Sequence, residues 1–463
     1  MLHSVFARRL RANSEAAKPL VLMFVRNLTS KNVLQTLRDR GLLAQVSQPE
    51  NVLRTKLESG EKLKLYCGAD PTAESLHLGN LLPLMVLLHF YIKGHDVYTL
   101  VGGATGIVGD PSGRKTERTA IEETKRQSNV SNIQGQLQRF FENGLAYYKG
   151  RYGHVSNGKA VHTNNYDWWH DMKMLDFLGR YGRHIRVQSM LSRDSVSSRL
   201  GSQDGIGFNE FTYQILQAYD FYHLNQIHGV AVQVGGNDQW GNITAGIDLI
   251  SRIGSKSQPF GLTVPLLTTS TGEKFGKSAG NAVFIDPTMN TSFDMYQFFM
   301  HTTDEDVAKL LRIFTLLPLQ EINAVVQTHM ESPKDRIAQK LLGREVVDLV
   351  HGSGRGNDAE MVSEILFGNH QLQLPANELI RLFREARHLV SFPRGLSLEE
   401  LLVRVTGCSR SEARRKLKQG SVYLGSDKTR VLNDIESLEQ FYIDDQVLIL
   451  RIGKQKCFVI EIV

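Results

Sequence analysis

An α/β fold built on a parallel sheet, with two smaller domains after it, is what this sequence predicts, and three observations carry the prediction. Short apolar strands alternate with longer helical patterns from Lys31 to about Pro287: strand 63–67, helix 79–93, strand 97–101, strand 230–234 and helix 241–252. That alternation implies right-handed βαβ units in a Rossmann-like arrangement, with ligands at the carboxyl ends of the strands. From Thr291 to about Asn369 strand signals vanish and helical period takes over. Basic residues then cluster on one short helix near the C-terminus, followed by runs that read as strands. A chain of 463 residues, 41% of them hydrophobic, can bury the several cores this requires.

Composition narrows the setting. A formal charge of +6 permits a nucleic-acid partner without demanding one, so the distribution of charge matters more than its total. Cys67, Cys408 and Cys457 lack metal-ligand spacing and cannot all pair, which favours a reducing compartment. Residues 1–30 are rich in Lys and Arg, with Glu15 as their one acid and Leu2, Val5, Phe6 and Leu10 at helical spacing. This is the pattern of a mitochondrial transit peptide, and it points to the mitochondrial matrix. The apolar run 19–25 would suit a secretory signal, but Arg26 follows it directly and no small-residue cleavage site appears. No run reaches the ~18 apolar residues of a membrane span, so no membrane partner is expected.

Taken in order, the first informative stretch is LKLYCGADPTAESLHLGN (63–80). It reads as strand, turn and the start of a buried helix, with Pro83 confined to the first helical turn and Gly94 as the stop. His77, Gly79 and Asn80 then lie at a helix N-terminus, where unpaired N–H groups favour phosphate. A purely structural corner fits the local residues equally well. GGATGIVGDPSG (102–113) follows the next strand; its glycine spacing is neither a dinucleotide fingerprint nor a P-loop, yet it permits close backbone approach, and Asp110 supplies an anion suited to an amine. From Arg114 to about Gly207 a polar segment reads as helices inserted between the two halves of the sheet. Next, EFTYQILQAYDFYHL (210–224) puts Tyr213, Gln217 and Asp220 on one helical face. That face is a pocket wall or a solvent stripe. VAVQVGGNDQWGNIT (230–244) repeats the strand, glycine turn and helix design, with Gln233, Asp238 and Gln239 at the end of the strand.

GEKFGKSAG (272–280) falls one residue short of a P-loop and precedes a strand-like NAVFID where a P-loop needs a helix. What remains is a glycine-hinged loop in which Lys274 and Lys277 can neutralise charge on a polyphosphate. Residues 291–370 form the helical domain, 371–395 a linker that follows the flexible HGSGRGN turn (351–357), and 396–463 the last domain. There Ser409 and Glu412 begin a basic helix closed by Gly420.

Together these stretches resemble the class I aminoacyl-tRNA synthetases, and within them the tyrosyl enzymes of bacterial and organellar type. HLGN is similar to the HIGH motif of that family and KFGKS to its KMSKS motif; YCGADPTAESLHLGN, GGATGIVGDPSG, TYQILQAYD and QVGGNDQWGN match tyrosyl blocks in chain order. The resemblance extends from Lys31 to Val463. It implies a catalytic domain at 31–290 with the insertion at about 114–207, a helical anticodon-binding domain, and a C-terminal RNA-binding domain like that of a small-subunit ribosomal protein. The reaction implied joins L-tyrosine and ATP to tyrosyl-adenylate, with Mg2+ accompanying ATP and no protein-bound metal, then passes the tyrosyl group to tRNA(Tyr).

The resemblance also assigns roles. Thr72, His77, Lys274 and Lys277 would surround the phosphates, assisted by Arg114 and Arg118, with Ser278 ending the loop. Cys67, Asn80, Gly236 and Asp238 would touch the ribose, and Gly79 would admit ATP to the backbone. Asp110, Tyr213 and Gln217 would hold the substrate ammonium, with Asp70 and Gln239 near its carboxylate. Tyr66 and Asp220 would bond the phenolic hydroxyl, which disfavours a tryptophanyl enzyme. Arg410, Arg414, Arg415 and Lys418 would meet tRNA, and a homodimer would form through the insertion. An organellar intron-binding factor is the rival reading; the full catalytic set argues against loss of catalysis. Asn80 stands where the HIGH motif has its second His.

Overall fold

The structure, a computed structural model, describes residues 32–113, 121–153, 158–201, 205–270, 277–278, 281–368, 373–435, 437–453 and 456–463. The expected transit segment lies outside them. Contacts divide the chain into two compact units, one of residues up to Ala282 with Lys309–Ile322, the other of Val283–Ala308 with Asn323–Val463.

In the first unit six strands form one sheet: β1 (Gln45–Val46), β2 (Lys64–Ala69), β3 (Asp96–Val101), β4 (Ala160–Asn164), β5 (Val232–Gly236) and β6 (Phe260–Val264), in the order β1-β6-β5-β2-β3-β4. Only β1 runs antiparallel to its neighbour. Every residue of β3 and of β6 is buried, as helices on both faces of a parallel sheet require. After β2 the chain passes to β3 on one side, and β5 later pairs with β2 on the other. The reversal opens a crevice beyond the carboxyl ends of β2 and β5, where open α/β sheets bind ligands. Helix α1 (Leu81–Tyr91) lies under the sheet with all but Pro83 buried, and Gly94, at φ 96°, makes the turn into β3. Helix α2 (Glu123–Tyr152) lies in the insertion; α3 (Phe208–His228) and α4 (Trp240–Ile253) flank β5. A short hairpin pairs β7 (Lys277–Ser278), inside the expected lysine loop, with β8 (Asn281–Ala282) just after it.

Two expectations are corrected in this unit. The inserted segment is not only helical, because β4 lies within it and forms the sheet edge beside β3. AVHTN offers too few apolar residues to declare a strand; its backbone pairing with β3 decides it. The unit also takes in Lys309–Ile322, which the sequence assigns to the helical domain. The buried guanidinium of Arg40 explains the capture: it donates to the carbonyls of Arg312 at 2.9 Å and Thr315 at 2.8 Å, and to that of Leu317.

The second unit combines helices α5 (Ser292–Met300), α6 (Ile337–His351), α7 (Arg355–Phe367), α8 (Ala376–Glu385), α9 (Leu398–Thr406) and α10 (Arg410–Lys418) with a sheet of β9 (Leu389–Phe392), β10 (Val422–Leu424), β11 (Thr429–Val431), β12 (Val447–Ile452) and β13 (Lys456–Ile462). The expected linker at 371–395 is the main correction. Within it Ala376–Glu385 form α8 and Leu389–Phe392 form β9, which pairs in parallel with β13. Ala376, Leu379, Leu382 and Phe383 make an apolar face that packs in one core with Val362 and Ile365 of α7 and with Val447, Ile449 and Val459 of the sheet. That core joins the two expected domains into one body. A second core, around Leu401, Leu417, Leu424 and Leu450, seats α9 and α10 on the sheet.

Candidate active site

The corner between β2 and α1 is a tight cap. His77 stands at the N-cap of a single 3-10 turn, Leu78–Asn80, with its Nδ1 accepting the Gly79 N–H at 3.0 Å. Asn80 returns the bond, its Oδ1 accepting the His77 N–H at 3.0 Å, so the pair forms a capping box. An Nδ1 that accepts from backbone places the neutral ring's proton on Nε2, which makes His77 a donor at its outer nitrogen. Gly79 is required here: a Cβ would lie 2.8 Å from the His77 ring. Thr72 is exposed on the preceding loop.

Asp70, at the end of β2, accepts from Thr105 Oγ1 at 3.0 Å and from Tyr213 Oη at 2.7 Å. Gly102 makes room for it, since a Cβ there would meet Asp70 Oδ1 at 2.0 Å. Across the crevice Asp110, buried, accepts from the Ser112 N–H at 3.0 Å and from Gln239 Nε2 at 2.7 Å. Gln217 Nε2 donates to Gln239 at 3.2 Å, while Asn242 Nδ2 donates to Gln217 at 3.0 Å. Two carboxylates and three amides thus form one polar wall over the carboxyl ends of β2 and β5. Burial, reinforced by Asp70 and then Asp110, raises the Tyr213 phenol well above its ordinary range, so it stays a neutral donor.

Deeper in, the wall becomes enclosed. Tyr66 is 1% exposed and packs against Phe221 with ring centroids 5.3 Å apart. Its hydroxyl has no hydrogen-bond partner among the described residues, and neither has Oε1 of Gln233, which is in register with it on β5. Asp220, 2% exposed, holds three donors: Asn165 Nδ2 on Oδ2 at 3.0 Å, and the indoles of Trp168 at 2.8 Å and Trp169 at 2.7 Å on Oδ1. Burial pushes its carboxyl up to about 7 although all three donors pull it down. Burial, with the Asp220 charge adding to it, also raises the Tyr66 phenol well above its usual range. A carboxylate has about four lone-pair directions, so one remains for a further donor. Buried unpaired hydroxyls are rare enough to call for a partner, and a ligand hydroxyl placed here would donate to Asp220 and accept from Tyr66.

The stripe Tyr213, Gln217 and Asp220 therefore faces the crevice and not solvent, with Tyr213 and Asp220 buried and Gln217 half-buried. Cys67 is buried, its thiol pushed up to about 12 by burial, so it stays neutral. Gly236 and the exposed Asp238 lie at the end of β5. Arg114, Arg118 and Lys274 lie outside the described residues; of Lys277 and Ser278 only the strand backbone is described. Sequence reasoning missed Thr105, Asn165, Trp168, Trp169 and Asn242. Only Asn165 carried a signal, since it follows β4 as Asp70 follows β2, and that signal required knowing β4 was in the sheet.

The chain's similarities agree with this geometry. Residues 58–368 match the model of class I tRNA synthetases for tryptophan and tyrosine. A mitochondrial tyrosine–tRNA ligase of Saccharomyces cerevisiae is 61% identical over 438 residues, covering 93% of this chain and 89% of the relative. Its counterpart from Drosophila melanogaster is 40% identical over 445 residues, covering 94% and 95%. A C-terminally truncated mitochondrial tyrosyl-tRNA synthetase of Aspergillus nidulans superposes with a TM-score of 0.67 at 35% identity, over 76% of this chain and all of that one.

Proposed function

Since the chain belongs to the class I aminoacyl-tRNA synthetases, and within them to the tyrosine–tRNA ligases, we propose that the crevice between β2 and β5 is where its two substrates meet, with tyrosine in the enclosed end and ATP over the β2–α1 corner. The protein activates L-tyrosine with ATP and transfers the tyrosyl group to the 3′ end of tRNA(Tyr) for translation in the mitochondrial matrix. The observation that carries the residue assignment is the pair at the enclosed end: a buried Tyr66 hydroxyl without a partner among the described residues, and a buried Asp220 with one acceptor direction to spare.

In this reading the phenol of tyrosine donates to Asp220 and accepts from Tyr66. Asp110, Tyr213 and Gln217 hold its ammonium, while Asp70 and Gln239 border its carboxylate. That carboxylate attacks the α-phosphorus of ATP, pyrophosphate leaves, and no side chain becomes a nucleophile. Catalysis therefore consists of alignment and of stabilising the charge that builds on the phosphates. His77 Nε2, Thr72, Lys274 and Lys277 do this, with Arg114 and Arg118 assisting and Ser278 ending the loop. Cys67, Asn80, Gly236 and Asp238 border the ribose, with Gly79 keeping the backbone accessible. Mg2+ arrives with ATP, bound by its phosphates. Phenylalanine would leave Asp220 and Tyr66 buried and unpaired, an effect for which tyrosyl enzymes are themselves the reference case.

Two partners are part of the proposal. Arg410, Arg414, Arg415 and Lys418 are exposed on α10 and suit a tRNA backbone, although Arg414 also meets Glu399 at 2.6 Å. Met174 (67% exposed), Leu175 (81%) and Val187 (60%) are exposed apolar side chains on the insertion that suit contact with a second copy of the chain. No helix among the described residues is long and apolar enough to cross a membrane. The test is amino-acid-dependent exchange of pyrophosphate into ATP with tyrosine, tryptophan and phenylalanine. Exchange with tyrosine alone is expected; equal exchange with tryptophan would overturn the pocket assignment.

A further inference from the structure

Asp220 receives more donors than a single hydroxyl-reading carboxylate needs. Asn165 occupies one oxygen, and two consecutive indoles, Trp168 and Trp169, converge on the other. Consecutive residues of a helix point about 100° apart, so two such side chains reach one oxygen only if each is held by different packing. The packing does differ. Trp168 stacks on His223 with centroids 4.4 Å apart, whereas Trp169 is wedged between Tyr219 at 4.9 Å and Phe177 at 5.3 Å. The helix that places them, Tyr166–Trp169, starts beside Asn165, so one short segment after β4 delivers all three donors.

We propose that Trp169 is a positioning residue for the discrimination between tyrosine and phenylalanine: its indole N–H keeps Asp220 ionised, and ionisation is what makes a missing substrate hydroxyl costly. The proposal rests on the assignment of Asp220 to the tyrosine phenol. A neutral Asp220 carries no uncompensated charge, so phenylalanine could sit beside it with little penalty; an ionised one deprived of its fourth donor is penalised. Among the described residues no cation is among the groups that shift Asp220: Asp70 repels it, and the facing Tyr66, Tyr213 and Tyr219 phenols are neutral at pH 7. His223, stacked on Trp168, is lowered to about 4 by burial and then by His228, so it too is neutral there. The balance between burial and ionisation is left to the three neutral donors. Trp168 and Asn165 share the task; Trp169 is singled out because a smaller aromatic ring at that position can still pack against Tyr219 and Phe177 while lacking the N–H.

The experiment is Trp169→Phe in the full chain, with pyrophosphate exchange measured against pH for tyrosine and for phenylalanine. The low-pH limb of kcat/KM for tyrosine should move up by about one pH unit, as loss of one hydrogen bond to a charged group implies. At pH 7 tyrosine activation should fall about five-fold, the ratio of tyrosine to phenylalanine activation should fall by a similar factor, and KM for ATP should stay unchanged. Trp169→His, which returns a ring N–H, should recover part of the shift; it also carries the test alone if Trp169→Phe does not fold. An unmoved pH limb with an unmoved selectivity ratio, or a loss equal at every pH and accompanied by a raised KM for ATP, overturns the proposal. Failure of the parent protein to activate tyrosine would instead overturn the underlying assignment.

Discussion

The two ends of the crevice are built on opposite plans. At the end proposed for the tyrosine phenol, Tyr66 and Asp220 are 1% and 2% exposed, enclosed by Phe221, Trp168 and Trp169, and fixed on a strand and a long helix. At the end proposed for ATP, Thr72 and Asp238 are exposed, His77 and Asn80 are half-buried, and the groups sit on turns at the ends of β2 and β5. The contrast suits what each end does in the proposed reading. Reading a hydroxyl takes buried polar atoms that suffer when it is missing, so water must be kept out. Stabilising a polyphosphate takes donors aimed at charge that grows during the reaction and then departs, so the end must stay open to release it.

The sharpest way to break this comparison is to remove the buried carboxylate. Asp220→Ala leaves three donors unpaired and should lower kcat/KM for tyrosine on the order of 10³-fold while KM for ATP changes little; an effect below tenfold would mean the enclosed end does not read the substrate. Lys274→Ala should cost about 10²-fold, in kcat and not in KM for tyrosine, because its partner is charge developed in the transition state. If instead tyrosine binding weakened, the division between the two ends would fail. At the buried end a pH dependence is expected. Because the carboxyl of Asp220 lies near 7, its ionised fraction shrinks as pH falls, so tyrosine kcat/KM should drop about tenfold between pH 8 and pH 6. Binding of ATP measured over the same range should lack that limb.

Smaller effects sharpen the picture further. Tyr66→Phe removes a hydroxyl that has no partner among the described residues, so stability should hold or rise slightly while tyrosine activation falls about three- to tenfold. A clear loss of stability would show that the hydroxyl is satisfied without substrate. Asn80→Ala breaks the capping box with His77 and should cost ~1 kcal/mol in unfolding experiments, with a few-fold loss in activation. That bond gives Asn80 a structural task of its own at the position where the family motif carries His.

The fold class, the strand-turn-helix corners and the family blocks were legible because each depends on local period and on glycine and proline, which act within a few residues. The stripe of Tyr213, Gln217 and Asp220 was legible as a face; whether it met solvent or a pocket depended on β2 and β3, strands more than a hundred residues away in sequence. Residues 371–395 were misread because the charged residues of ANELIRLFRE masked an apolar face that only the α7 helix and the C-terminal sheet could bury. Asn165, Trp168 and Trp169 were missed for the same reason. β4 has weak strand character by itself, and its pairing with β3 is what carries that segment to Asp220.

By itself, then, the sequence determined which residues could do this chemistry, because side-chain type and local spacing are written in it. The tertiary structure alone decided which are buried together, since burial, the loss of water around Asp220 and the unpaired Tyr66 hydroxyl are made by segments more than a hundred residues apart meeting across one sheet.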